Sequence, residues 1–339
     1  GNNLDAVEKL NALSRRICSS HPAPEEAMRW LDEVRSSIPR YPLPIYLLGN
    51  FLGAFGFAAL FGCGPVDMAV SGLCGILGGL LNRFMDKMKV NPFFKTIFSA
   101  FLMALAAYGL NACGLAQNVN SVVIGALMIL VPGLLFTNAM RDIIYGDTNS
   151  GITRFVQVML ISMGMALGTA VAWNTASLLW SAPRNLEELS NPLLVTTLGA
   201  LIGCIGFSIL FNIHGPGGLL CALGGVVTWV VFDLIVKFSA DEMFAYFVGA
   251  VLASVYAEVR ARLRKYPAFS YLVVSLFPLI PGAGIYYTMY YAVHGNMEQF
   301  AAQGTHTAAI VGVIAVGVLL VSTMVRLSYA WKETIAKKK

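Results

Sequence analysis

Ten apolar stretches dominate this chain, at about 44–62, 66–82, 94–114, 121–145, 152–180, 192–212, 217–237, 241–260, 268–293 and 304–328. A hydrocarbon core about 30 Å thick is crossed by roughly 20 helical residues. Inside it, backbone polar groups must be satisfied by a helix or a closed barrel. Spans this long and this uniformly apolar are helices, so the fold class expected is all-α, a polytopic membrane protein with ten transmembrane helices. Composition agrees, with 57% hydrophobic and 12% charged residues, where soluble proteins carry about 25% charged. The positions of Lys and Arg set the expected topology. With the N-terminus inside, every one of the 23 basic residues falls on the inner side except Arg184 and Lys237. Both termini are then cytoplasmic and the chain sits in the cell membrane.

The segments around the spans are short. Residues 1–42 read as two cytoplasmic amphipathic helices split at "SSHPAP", the second opening on Pro24, Glu25 and Glu26 as a good helix start does. Spans one to five occupy 43–182, spans six to ten 191–330, and a basic tail 331–339 closes the chain. The polar opening "GNNLDAVEKL" has no initiator Met and no cleavable signal peptide, as expected of a trimmed chain.

The two groups of spans echo one another. "GFAALFGCGP" (56–65) matches "GFSILFNIHGP" (206–216), and "VPGLLFTNAMRDIIYGD" (131–147) matches "IPGAGIYYTMYYAVHGN" (280–296). The second match pairs Pro132 with Pro281, Met140 with Met289 and Gly146 with Gly295 at a constant offset of 149. Because each group has an odd number of spans, the second enters the membrane from the opposite side. That is an inverted-topology repeat, the plan of many secondary transporters.

Both copies break in mid-span. Proline removes a helical hydrogen bond and clashes with the preceding turn, and in hydrocarbon the freed carbonyl persists only where protein or a watery cavity satisfies it. Pro132 lies roughly 16 Å into its span, and Pro281 is similarly deep. Paired Pro-Gly breaks, Pro132-Gly133 and Pro281-Gly282, point to a substrate site; packing kinks without a ligand are the plainer alternative. Past the first break, Asn138, Arg141 and Asp142 share a helical face at i, i+3 and i+4, with Thr137 beside them. Thr137 and Asn138 are deep enough to line a path. Arg141, roughly 13 to 14 Å beyond the break, either snorkels to the interface or grips a carboxylate bidentately. Asp142 and Asp147 then orient Arg141 and Arg154, or titrate. The second copy has Tyr286, Tyr287, Tyr290 and Tyr291 in the equivalent places, an interfacial aromatic belt or an outer gate. Asp67, Asp233 and Glu258 are further ionisable groups in or near spans and candidates for proton coupling, although Lys237 is placed to pair with Asp233.

No Ser/His/Asp set, glycine-rich phosphate loop or H-E-x-x-H motif is present, and none of the six cysteines has metal spacing, so an enzyme, a cofactor and a metal centre are not expected. The partners expected are a small-molecule substrate, protons and the lipid bilayer; a homo-oligomer is left open and nothing points to nucleic acid. A passive channel and a scaffolding membrane subunit are the rival classes.

The stretch "PGLLFTNAMRDIIYGDTNSGITRF" resembles the signature of the threonine/serine exporter family, P-G-x-x-x-T-N-A-x-R-D followed by G-D-x-x-S-G and an Arg three residues on. The matching positions are Pro132, Gly133, Thr137, Asn138, Ala139, Arg141, Asp142, Gly146, Asp147, Ser150, Gly151 and Arg154. "YAEVRARLRKYPAFSYLVVSLFPLIPG" is similar to the family's smaller partner domain, which in some bacteria is a separate chain; such two-chain forms are associated with succinate export. The resemblance implies efflux of threonine and serine across the cytoplasmic membrane, driven by the proton-motive force, with a small dicarboxylate as the alternative cargo. It also implies a soluble segment ahead of "NLDAVEKL".

Overall fold

The structure, a computed structural model, describes residues 3–38, 40–144, 146–180, 191–239, 241–264 and 266–336. Arg184, Lys265 and the end of the basic tail lie outside the described residues. The described residues form helices and no strand. Two short amphipathic helices come first, α1 (Leu4–Ser20) and α2 (Pro24–Ser36). The bundle follows as α3 (Leu43–Leu60), α4 (Pro65–Lys87), α5 (Pro92–Ala112), α6 (Val119–Leu127), α7 (Gly133–Ile144) and α8 (Thr148–Leu179). It continues as α9 (Leu193–Leu210), α10 (Pro216–Ser239), α11 (Glu242–Arg264), α12 (Ala268–Leu276), α13 (Gly282–Val293) and α14 (Met297–Ala336).

Eight of these helices are long and apolar enough to cross a membrane: α3, α4, α5, α8, α9, α10, α11 and α14. A ninth candidate is the bent pair of α12, extended by a 3-10 turn to Leu279, and α13, which meet at 57°. The expected span at 121–145 is divided into two short helices, α6 and α7, separated by residues 128–132. An all-α polytopic membrane protein is therefore observed, with eight straight candidate spans and one bent one among the described residues; the count of ten is not confirmed, because α6 and α7 are each too short to be counted. The reason is local: Pro132 cannot donate to the helix before it, so α6 ends in a turn and α7 starts anew from the Pro132 carbonyl, which accepts from Phe136 N–H at 3.0 Å.

The packing scheme repeats. α3 lies on α4 as α9 lies on α10; α5 on α8 as α11 on α14; α7 on α8 as α13 on α14. Across the molecule α13 packs on α8 as α7 packs on α14. The tightest crossing is α3 on α9, where glycines at three- and four-residue spacing line both faces. A Cβ on Gly56 would strike the Gly203 nitrogen and the Gly199 carbonyl, and one on Gly206 would strike the Gly53 nitrogen. Gly49 at the start of α3 faces Ile209 near the end of α9, so the two helices run antiparallel. Small-residue faces of this kind let backbones approach where no hydrophobic effect drives helices together.

The echoing loop ends also fold alike. After α7, Gly146 takes φ +90, its N–H bonds to Ile143 O, and Asp147 N–H reaches back to Asp142 O. After α13, Gly295 takes φ +73, bonds to Ala292 O, and Asn296 N–H reaches Tyr291 O. Asp147 and Asn296 then cap α8 and α14 by accepting from Ser150 and Gln299 N–H. The polar "GDTNSG" is thus a helix stop and a helix start in series.

α1 docks on the turn between α9 and α10. Leu4 N–H donates to Phe211 O at 2.9 Å, Asn212 Nδ2 donates to Asn3 Oδ1 at 3.0 Å, and Tyr41 stacks on His214 at 4.1 Å. This end of the bundle also carries the basic turn between α11 and α12; it is called the basic end below, and the opposite one the tyrosine end.

Candidate functional site

The two breaks meet. A Cβ on Gly133 would strike Ile280, one residue before Pro281, while a Cβ on Gly282 would lie 3.1 Å from Val131, one residue before Pro132. The contact is reciprocal at the offset of 149, as in an isologous pairing. The gap between them is apolar and only about 10 Å³, lined by Phe57, Phe207, Phe277, Met128, Val131 and Ile280. Phe207 stacks on Phe277 at 4.1 Å, so an aromatic plug and two bare glycine backbones occupy the middle of the bundle.

Clefts lie on either side of this plug, mostly apolar at the basic end and mixed at the tyrosine end. At the basic end, Asn138 and Arg141 from α7 face Phe269, Leu272, Val273 and Leu276 of α12 and Ala315 and Val318 of α14 around a cavity of about 20 Å³. The shared face expected for Asn138 and Arg141 therefore opens on one cavity; the Thr137 side chain lies outside the described ones. Asp142 bridges two cations, at 3.5 Å to Arg141 and 2.9 Å to Arg154. Asp147 stays out of this network and spends its carboxylate on the start of α8.

At the tyrosine end, Tyr286, Tyr287 and Tyr290 of α13 and His294 just after it face Tyr108 of α5, Asn120 of α6 and Thr169 and Trp173 of α8 around about 290 Å³. Tyr286 is buried, and its hydroxyl shares a 3.0 Å hydrogen bond with Thr169. An aromatic belt facing lipid does not describe that residue. The two clefts occupy equivalent places: adding 149 turns Asn138 and Arg141 of the first into Tyr287 and Tyr290 of the second, and Thr169 of the second into Val318 of the first. One is small and the other large. A third and larger cavity, about 600 Å³, reaches Pro281 and Gly282 between α3, α10, α11, α13 and α14.

The remaining carboxylates are engaged. Asp67 is buried and accepts Gln117 N–H at 2.8 Å and Asn118 N–H at 3.1 Å, fixing the entry to α6. Asp233 holds Lys237 at 2.6 Å, and Glu258 lies 3.9 Å from Arg262. Sequence reasoning missed Tyr108, Asn120 and Trp173, which only the tertiary fold brings to α13. It also missed Gln303, His306 and Thr307, although these have the i, i+3, i+4 spacing that singled out Asn138, Arg141 and Asp142.

The fold and the abutting breaks define a polytopic membrane protein laid out as transporters are, with broken helices meeting in the middle of the bundle. Residues 1–176 match the family model described as "Putative threonine/serine exporter", and residues 196–324 match "Threonine/Serine exporter, ThrE". The chain belongs to the threonine/serine exporter family. It is similar to a threonine/serine exporter of Corynebacterium glutamicum, 22% identical over 330 residues that cover 94% of this chain and 66% of that protein. No solved structure matches.

Proposed function

We propose that this protein is a secondary exporter of small amino acids, threonine and serine, working across the cytoplasmic membrane by alternating access between two inverted halves and driven by protons. The observation that carries the reading is the pair of equivalent clefts on either side of the meeting breaks, about 20 Å³ at one end and about 290 Å³ at the other. A carrier with repeats related by a two-fold axis exchanges the roles of such clefts when one repeat rocks against the other. The antiparallel α3–α9 crossing and the recurring helix pairs support the inverted arrangement. Asn138 and Arg141 contact the substrate at the basic end, with Thr137 beside them, while Asp142 holds Arg141 and Arg154 in place. Tyr286, Tyr287 and Tyr290 serve at the tyrosine end. The basic end is cytoplasmic, in keeping with the distribution of Lys and Arg.

The test is transport by the purified chain in proteoliposomes with an imposed pH gradient, using labelled threonine, serine and succinate in parallel. Saturable, gradient-driven movement and counterflow of threonine or serine are expected. Succinate alone as cargo would overturn the substrate assignment, and unsaturable flux without counterflow would make the protein a passive pore.

A further inference from the structure

The cavity of about 600 Å³ between α3, α10, α11, α13 and α14 has one imidazole–carboxyl pair on its wall. His306 Nε2 on α14 lies 3.3 Å from Glu242 Oε2 on α11, and each side chain is 45% exposed. Neither residue belongs to the exporter signature at 132–154, and neither is part of the clefts that face α7 or α13. From the pair the cavity runs past Tyr246, Gln303 and Thr307 to Pro281 and Gly282, at the break itself.

A proton-driven carrier needs a group that exchanges a proton with one solution and whose charge alters the packing of helices that move. The carboxylates in or near the spans are poor candidates. Asp67 holds two backbone amides, Asp142 two guanidiniums, Asp147 a helix start, Asp233 a lysine and Glu258 an arginine. A second imidazole contact, His214 to Asp5 at 4.0 Å, lies under the Tyr41 ring where α1 docks, at the opposite end of the bundle from the cavity of about 600 Å³. Histidine ordinarily changes charge between about pH 5 and 8. Among the described residues, the His306–Glu242 pair combines that chemistry with an open cavity, a helix-to-helix contact and a path to the break.

We propose that His306 and Glu242 form the exchangeable-proton site of the carrier, reached from the tyrosine end; this rests on the proton-driven reading above. A proton taken from that solution adds to the ring nitrogen, and the imidazolium then donates to the Glu242 carboxylate, drawing α14 to α11. When the proton returns to water the pair carries one negative charge and its attraction weakens. The other titratable or charged groups near it are Asp241 just ahead of α11 and Tyr246 on it, Glu298 just over two turns earlier on α14, and the Asp233–Lys237 pair on α10; α3 and α13 line the cavity with uncharged residues.

The experiment compares the full chain with His306→Gln and Glu242→Gln in proteoliposomes, using whichever labelled substrate the unaltered protein carries. One proton per substrate lets a one-unit pH gradient support about tenfold accumulation. Both variants should lose that accumulation and only equilibrate, while counterflow at equal pH persists. Gradient-driven accumulation that survives in either variant overturns the proposal. So does loss of counterflow together with accumulation, which marks a structural or substrate-binding role. If the unaltered protein moves substrate but ignores the gradient, the proton-driven reading itself has failed. Should the variants misfold, the unaltered chain with labelled histidine gives a second readout by NMR. By thermodynamic reciprocity, adding substrate must shift the His306 titration midpoint, and a midpoint that stays fixed overturns the proposal.

Discussion

Asp142 stands between two guanidiniums, 3.5 Å from Arg141 and 2.9 Å from Arg154, with its own side chain only 14% exposed. Removing its charge leaves two half-buried cations facing one another. Exposed pairs contribute about 0–1 kcal/mol and breaking buried ones costs about 3–5. For this partly buried network Asp142→Asn should cost about 1–2 kcal/mol, read as a lowered melting temperature in detergent and, through a displaced Arg141, as reduced transport. Asn138→Ala and Arg141→Ala make the contrast. If these residues contact substrate, export is lost while the proteins insert and stay monodisperse. Wild-type transport by either variant would remove it from the site. The motif was legible in sequence because helical spacing alone puts Asn138 and Arg141 on one face. The engagement of Asp67 was not, because its partners at Gln117 and Asn118 are 50 residues away and only the fold brings them there.

Elements carry the next level of constraint. The spans were readable because length and hydropathy suffice to define a membrane helix, and the prolines marked where two of them divide. The closeness of α3 and α9 was not readable, since a glycine-rich helix does not name its partner. Gly56→Leu should prevent that crossing, because the clash is with backbone that cannot turn aside. A loss of more than about 3 kcal/mol is expected, at the upper end for overpacking. Gly312→Ala, in a position where a Cβ meets nothing within 4 Å, should be tolerated. Equal melting temperatures for the two variants would refute the assigned packing.

The docking of α1 has its own pH signature. Burial pushes the Glu8 carboxyl above its ordinary value, partly offset by a hydrogen bond from Tyr266 in the turn between α11 and α12. Burial also raises Tyr41. A raised carboxyl means that the docked form binds the proton more tightly than the undocked one. Glu8 therefore supports docking most fully below the ordinary carboxylate pKa, and that support is lost as pH rises through the raised value. A spin label on Cys18, exposed near the end of α1, should gain mobility across that mildly acidic window when Cys113, the other exposed cysteine, is replaced. Glu8→Gln should flatten the response; a label that moves equally in both proteins would disconnect Glu8 from docking.

At the scale of the whole molecule, the repeat turns one described arrangement into a statement about a second. Residues related by the offset of 149 occupy the small cleft at Asn138 and Arg141 and the large cleft at Tyr287 and Tyr290. If the proposed rocking occurs, the alternative state exchanges their volumes while the α3–α9 crossing, on the reciprocal contact of its glycines, stays intact. Cavity volume depends on how the helices are packed at a given moment, which is why neither cleft could be sized from residue patterns. Two single-cysteine proteins test the exchange, Tyr290→Cys and Arg141→Cys, each in a background without the natural exposed cysteines. Arg141→Cys is a probe of accessibility only, since that variant is not expected to transport. A second probe on the same face, Leu272→Cys across the cleft, reports on the basic end without touching a proposed substrate contact. In the described arrangement, a membrane-impermeant maleimide should label Tyr290→Cys quickly and Leu272→Cys slowly. Conditions that favour the other state, such as substrate or a reversed pH gradient, should slow the first and speed the second. The reciprocity decides the matter, because a bundle that merely breathes exposes both positions together, and a pore leaves both reactive from the start.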